Sequence, residues 1–478
     1  MQRLLCGFLC LLLLRAAPVA GQRFLNVHAF GAKGDGKSDD ADAINLALKA
    51  AHSEKKSLYF PAGVYLCNQV NKAGHILEFE ADGLDGIRLY GDSNSTRITT
   101  SLNAGSILLY VWAYAKSDGL TVKDIFFENT HRLIAKPTQG LFLQGTKGEN
   151  LTNVHLTGCR FEGFSNAVGG QGVKGWNINK NIFNAPKGHD DAKNDSEPAV
   201  FLWFYDNSNG YCTDVRIAGN TADGYSGSGP ISGLITKRAM DGFVYGTGYG
   251  FTITNNKTMN FSEEHYALAP KATFKDDTSH TLIENNHMDG TIPPGSMDDN
   301  GSKKHLSNYG IRCDISNVVI HNNVIRNYTY GIIVRGVETP NAKIHTYEIS
   351  GNKLFAAEDT ANYQIEPAIL IQGNLNNRIK NVQITGNEIH VSKVKRARDS
   401  YEGIAMYDME KGSVESNSII ANKHAEDSRL TAISYSRVGQ MTEKANQVVG
   451  MNFRRILSRT DTVQIIADST GKKSSNLK

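Results

Sequence analysis

Cysteine, proline and net charge are all scarce in this sequence, and each scarcity removes a class of protein. Its 478 residues hold 6 Cys and 11 Pro, and the formal net charge is only +3. Cys6 and Cys10 lie at the extreme N-terminus. Cys67, Cys159, Cys212 and Cys313 are far apart and form no CxxC pair, so the spacing of a zinc site is missing. That spacing leaves open whether the four form one or two disulfides after export or stay as buried thiols. So few prolines exclude Pro-rich linkers and stalks. The small charge gives no case for nucleic acid as a partner. Beyond Leu4–Leu14 no run is apolar enough to cross a bilayer, so no membrane span is expected. With 40% hydrophobic and 21% charged residues the chain is neither disordered nor membranous. One ordinary core does not grow to this length, so the chain either divides into domains or extends along one axis.

Glycine, at 46 residues, is what the sequence has in quantity, and it marks many turns. The first residues read as a secretory signal peptide over 1–21: Arg3, the apolar run Leu4–Leu14, then small residues from Ala16 to Gly21. The expectation is a secreted protein, extracellular or periplasmic. Next, Ser38, Asp39 and Asp40 offer side-chain oxygens to the free N–H groups of a helix start. Ala43, Ile44, Ala47, Leu48 and Ala51 follow at helical spacing, which predicts a helix over 39–52. Residues 57–66 read as two short strands around Pro61-Ala62-Gly63.

From about residue 140 the sequence repeats. A short β-rich run ends in Asn at 181, 220, 256, 286, 323, 352, 387 and 417, with Cys159 in the first such place, and steps of 22 to 39 residues. A fixed submotif with a variable period means one coil per repeat, with loops of differing length. Asn suits the turn because it tolerates left-handed backbone and its amide can bond along a stacked ladder. No amphipathic helix alternates with the strands, which excludes a TIM barrel, and the period is too short for a propeller blade.

Phe30-Gly-Ala-Lys-Gly-Asp-Gly-Lys-Ser-Asp39-Asp40 and Phe60-Pro-Ala-Gly-Val-Tyr65 together resemble the N-terminal segment of the pectate lyase superfamily. The resemblance implies an all-β, right-handed parallel β-helix (a solenoid) whose open end is covered by the N-terminal helix. The expected layout is a signal peptide 1–21, an N-terminal strand and capping helix 22–56, a β-helix 57–440, and a polar, partly disordered extension 441–478.

A second submotif precedes each Asn turn: Gly or Ala opens a strand whose second residue is apolar. Aligned on Gly140, Ala167, Ala199, Gly233, Ala267, Gly310, Gly331, Ala368 and Gly403, the second position points inward and the third and fifth point outward. The fifth then reads Gln144, Gln171, Trp203, Lys237, Lys271, Asp314, Arg335, Gln372 and Tyr407, with Arg312 on the same face. Cations at the centre, aromatic residues beside them and amides for hydroxyls suit an extended anionic polysaccharide. Lyases of the resembled superfamily often use Lys or Arg as base and carboxylates to hold calcium. On that reading Lys271 is the catalytic base, and Lys237 and Arg312 lower its pKa. Arg312 and Arg335 fork onto the uronate carboxylate. His265, or less favourably Tyr266, protonates the leaving oxygen, and Glu264 holds Ca2+. Lys237, Arg335, Trp203, Gln372, Tyr407 and Gln144 bind sugar.

Other readings of the same stripe stay open. It is also what a solvated outer face looks like, and a non-catalytic, adhesive β-helix would carry it too. A glycoside hydrolase needs two facing carboxylates, and the acidic loops at Asp190, Asp191, Asp195 and Glu197, at Asp276 and Asp277, and at Asp298 and Asp299 could supply them. Gly188-His-Asp and Arg378-Ile-Lys echo polygalacturonases, but no Asn-Thr-Asp precedes them, and the Asp-Pro-His of C5-epimerases is missing.

Overall fold

The computed structural model describes residues 24–102, 105–131, 138–146, 150–185, 200–205, 210–225, 240–269, 280–291, 307–336, 346–356, 367–374, 378–391, 401–421, 430–449, 456–457 and 464–467. The segment expected as a signal peptide lies outside them. One coil supplies the strands Thr138–Gln144, His155–Thr157 and Arg160–Glu162, with the two-residue strand Leu151–Thr152 between the first two. The next coil repeats them as Asn166–Gln171, Asn177–Asn179 and Ile182–Asn184, paired in parallel with the first. Stacked in this way, the coils form one sheet of 30 strands and another of 14. The fold is a parallel β-helix, all-β apart from its N-terminal helix. The first strand of each coil lies in the larger sheet, and the series from His75–Glu80 to Leu430–Lys444 is called here the front.

The helix spans Ala41–Glu54 and buries Ile44, Ala47, Leu48 and Ala51. Asp39 caps it by accepting the Ala41 N–H at 3.0 Å, while Asp40 turns back to accept N–H groups of Lys33 and Gly34. Asn45 then accepts the Glu78 N–H and donates to the Ile76 carbonyl, so it satisfies backbone of the first front strand that has no preceding coil. Parallel pairing also continues past residue 440: Ile456–Leu457 and Gln464–Ala467 stack on Leu430–Lys444.

The Asn turns form an interior ladder. In Asn323, Oδ1 accepts the backbone N–H and side-chain Nδ2 of Asn286 at 3.0 and 2.9 Å. Its Nδ2 donates to the Ile283 carbonyl and to Oδ1 of Asn352 at 2.8 and 3.0 Å. The same arrangement runs from Asn181 to Asn446, and Cys159 joins it through its N–H to Asn181. Cys67, Cys159, Cys212 and Cys313 are all free thiols and all buried.

Register on the front corrects the sequence alignment in three coils. Leu141 lies in line with Val168, Leu202, Val244, Tyr266 and Ile311. The opening position is therefore Phe201, Phe243 and His265 in these coils, not Ala199, Gly233 and Ala267. Volume explains the exchange. Where the opposite sheet sends Phe161 inward, the front has Gly140, and a Cβ there would lie 3.0 Å from the Phe161 ring. Where that sheet narrows to Ala222 and Thr258, Phe243 and His265 fill the space.

Candidate functional site

Two rows of outward side chains run along the front. One contains Glu78, Tyr110, Phe142, Gly169, Trp203, Tyr245, Ala267, Arg312, Ile333, Leu370, Ala405 and Ser434. The other begins Glu80, Trp112, Gln144, Gln171 and later contains Arg335, Gln372 and Tyr407. The alternating pleat sends both rows outward.

Arg312 is the charged centre of the first row. Its Nε and Nη2 donate to Oδ2 of Asp314 at 3.0 and 2.9 Å, which fixes the plane of the guanidinium. Burial works against the guanidinium charge, but Asp314, then Glu264 and Tyr245, favour it, and the net effect holds the Arg312 pKa above its ordinary value. The other oxygen of Asp314, Oδ1, is buried without a hydrogen-bond partner among the described residues. Glu264, also buried, lies one coil away, and its backbone N–H bonds to the carbonyl of Asp241. Asp241 is itself buried and accepts from the Ser262 hydroxyl at 3.3 Å.

Of the residues expected to act together, Arg312, Arg335, Trp203, Gln372, Tyr407 and Gln144 do project from the front. Trp203 stands in the row of Arg312 rather than in the row of Gln144, a consequence of the corrected register. Lys271 and Lys237 lie outside the described residues, and the front strand between Val200–Phe204 and Glu264–Ala269 is Gly242–Tyr249, not a strand opened by Gly233. His265 is corrected outright. It is 1% exposed and points into the core, where its Nδ1 meets the Thr258 hydroxyl at 2.8 Å and its ring lies against Phe261. Burial pushes its pKa down to about 3. A neutral, enclosed imidazole cannot reach a sugar on the outer face. Tyr266 is likewise buried inward.

Among the described residues no three or more His, Cys, Asp or Glu side chains gather as a metal site, and the nearby group that responds to the Glu264 charge is a guanidinium. Asp241, Tyr245 and the anchoring role of Asp314 escaped the sequence reading. The signal for Tyr245 was available: Gly242-Phe-Val-Tyr-Gly-Thr has the in–out alternation of a front strand, but no small residue opens the position filled by Phe243.

A solenoid with a long aromatic and amide face and a partly buried Arg–Asp pair at its centre belongs to the class of parallel β-helix proteins. The chain matches the family described as rhamnogalacturonase A/epimerase, pectate lyase-like, over residues 24–289, more than half its length, and it belongs to that family. A 41-residue stretch is 56% identical to alginate lyase 7 of Azotobacter vinelandii, covering 8% of this chain and 5% of that protein. A 54-residue stretch is 39% identical to the non-secreted LysM effector LysM19 of Penicillium expansum, covering 11% of this chain and 4% of that one. Among solved structures, the surface adhesin PfbA of Streptococcus pneumoniae is 15% identical with a TM-score of 0.52, over 89% of this chain and 91% of that one. The Dettilon tailspike protein is 13% identical with a TM-score of 0.51, over 90% and 69%. Likeness at this level of identity speaks for the fold. No helix among the described residues is long and apolar enough to cross a membrane.

Proposed function

We propose that this protein is secreted, binds an extended uronate-bearing polysaccharide along the front and cleaves it by β-elimination. The observation that carries the reading is Arg312, a guanidinium fixed by Asp314 on the outward row, with aromatic residues on the strands before it. The family description pairs a rhamnogalacturonase and an epimerase with a pectate-lyase-like fold, and the short match to an alginate lyase points to the same kind of polymer.

Elimination removes the proton on C5, next to the uronate carboxylate. The electron pair forms the C4–C5 double bond and the C4–O bond breaks. Arg312 pairs with the carboxylate and stabilises the charge that spreads onto it as the proton leaves. Lys271 retains the role of base proposed from the sequence, and the ammonium it becomes returns the proton to the leaving oxygen. This removes any need for His265. A second reading, glycoside hydrolysis by paired carboxylates, is favoured by one observation: the partnerless Oδ1 of buried Asp314, with Glu264 one coil away.

Incubation with uronate-bearing polysaccharides, continuous and mixed, separates the outcomes. Elimination gives the ultraviolet absorbance of an unsaturated uronate. New reducing ends without that absorbance would transfer the activity to hydrolysis, and binding with neither would make the protein an adhesin. Arg312→Ala is expected to lose on the order of a hundredfold in turnover.

A further inference from the structure

From His75–Glu80 to Gly242–Tyr249 a chain of rings crosses six consecutive strands of the front, all but Asn166–Gln171 contributing to it. His75 stacks on Tyr110 at 3.9 Å, Tyr110 on Phe142 at 6.1 Å, and Phe142 meets Tyr205 at 5.7 Å. Tyr205 stacks on Trp203 at 4.8 Å, and Trp203 meets Tyr245 edge-on at 5.7 Å. Gly169 makes this continuity possible, because a Cβ there would come within 2.8 Å of the Phe142 ring and 3.3 Å of Tyr205. With strands about 4.8 Å apart, six of them span roughly 24 Å. Beside the rings, Gln144 accepts the Tyr110 hydroxyl, and Gln139 bonds Tyr205 while its own Oε1 stays buried without a partner.

Charge distinguishes this tract from the centre of the face. The outward positions of these six strands contain neither Lys nor Arg. Their ionic side chains are Glu78 and Glu80, each about two-fifths exposed, and Glu78 holds His75 at 2.7 Å. A uronate placed at the Tyr110 end would meet these acids within the Debye length, about 8 Å in physiological salt, and along all six strands it would meet no described Lys or Arg. A neutral sugar meets rings that take its C–H faces and amides that take its hydroxyls.

We propose that the substrate is a mixed polysaccharide in which neutral sugars occupy the tract from Tyr110 to Trp203 and an acidic sugar sits at Arg312. The proposal rests on the reading of Arg312 as the uronate-binding residue and names the polymer around it: uronates spaced among uncharged sugars, not a continuous polyuronate.

Affinity electrophoresis of the full chain in gellan (one uronate among neutral sugars), polygalacturonate (every sugar acidic) and galactomannan (no acid) tests it. Wild-type protein is expected to be retained most by gellan. Tyr110→Ala and Trp203→Ala are each expected to weaken retention by gellan and galactomannan about tenfold, ~1.4 kcal/mol, without changing the binding of a short galacturonate oligomer. Glu80→Lys, on an exposed side chain, guards against misfolding of the ring variants: it should raise affinity for polygalacturonate several-fold and leave galactomannan alone. Equal retention by polygalacturonate and gellan, ring variants that leave galactomannan unaffected, or a Glu80→Lys protein with unaltered polygalacturonate affinity would each overturn the neutral tract. Failure of the lyase reading shows elsewhere, as undiminished turnover in Arg312→Ala.

Discussion

Asn323→Ala tests whether the interior ladder is a main source of stability. Asn323 is fully buried, and five hydrogen bonds meet at its amide. Alanine leaves the Asn286 backbone N–H facing a void and the Ile283 carbonyl without its side-chain donor. A buried orphan costs about 1–3 kcal/mol, and the small cavity adds to it. Some relief is available, because Asn286 Nδ2 still reaches the Ile253 carbonyl at 2.8 Å. The expected loss is about 3–5 kcal/mol. Asn446→Ala supplies the contrast. It also removes bonds to the Asn417 N–H and Nδ2 and to the Val414 carbonyl, but the site is only partly buried and water can replace them, so about 1 kcal/mol is expected. Because a solenoid can lose coils separately, denaturant unfolding should be read beside hydrogen exchange at the Asn286 amide, which should accelerate in Asn323→Ala and not in Asn446→Ala. Equal losses at the two sites, or a loss below about 1 kcal/mol at Asn323, would refute the account of the ladder as a chain of buried, mutually dependent bonds.

Other consequences can be checked independently. Burial lowers the folded pKa of His265 from its ordinary value of 6.5 to about 3, so the fold favours its neutral form. The stability this gives is complete above pH 6.5 and drains away as pH falls towards 3. His265→Gln should flatten that part of the stability–pH curve while leaving turnover intact, and a lost activity in a well-folded variant would return His265 to the mechanism. At Asp289, burial pushes the pKa up but hydrogen bonds from Asn327 and Thr291 more than offset it, and the carboxyl ends below its usual value of 3.8. Its contribution is present above pH 3.8 and disappears as pH falls through the lowered folded value, so Asn327→Ala should raise the midpoint of acid unfolding. The four buried thiols, all with pKa values raised chiefly by burial, should react with a thiol reagent only after denaturation, and a reductant should leave the melting temperature unchanged. Arg312→Lys keeps the charge but loses the two-pronged bond to Asp314, so turnover should fall at least tenfold, the scale of one well-placed hydrogen bond to a charge.

The fold was legible because it depends on residues that repeat. Each Asn of the ladder contributes the same bonds in every coil, so Asn181 to Asn417 stand out in the sequence without any knowledge of what they touch. The helix at Ala41–Glu54 was legible for a different reason, a capping Asp followed by apolar residues at helical spacing. The site was harder to read because its geometry depends on where a strand enters the stack, and that is decided across the core. Gly140 is small because Phe161 faces it, and His265 is large because the opposite wall at Thr258 is small. Neither condition is visible within a single strand.

A two-residue error in one strand preserves the in–out alternation, so it leaves the face looking correct while changing every neighbour along it. Taking Ala267 as the opening residue kept Leu268 inward, as it is, but put His265 on the outside and set Lys271 beside Asp314. In the structure Trp203 stands beside Tyr245, and Ala267 stands between Tyr245 and Arg312. Ala267 itself is covered, at 2% exposed, and the Arg312 guanidinium beside it responds to Glu264 and Tyr245 on the two preceding coils as well as to Asp314 on its own. The polar centre is thus assembled from three coils, each with a different residue type at the shared position. A repeat-based reading works by seeking sameness between coils, and the chemistry of this face lies where the coils differ.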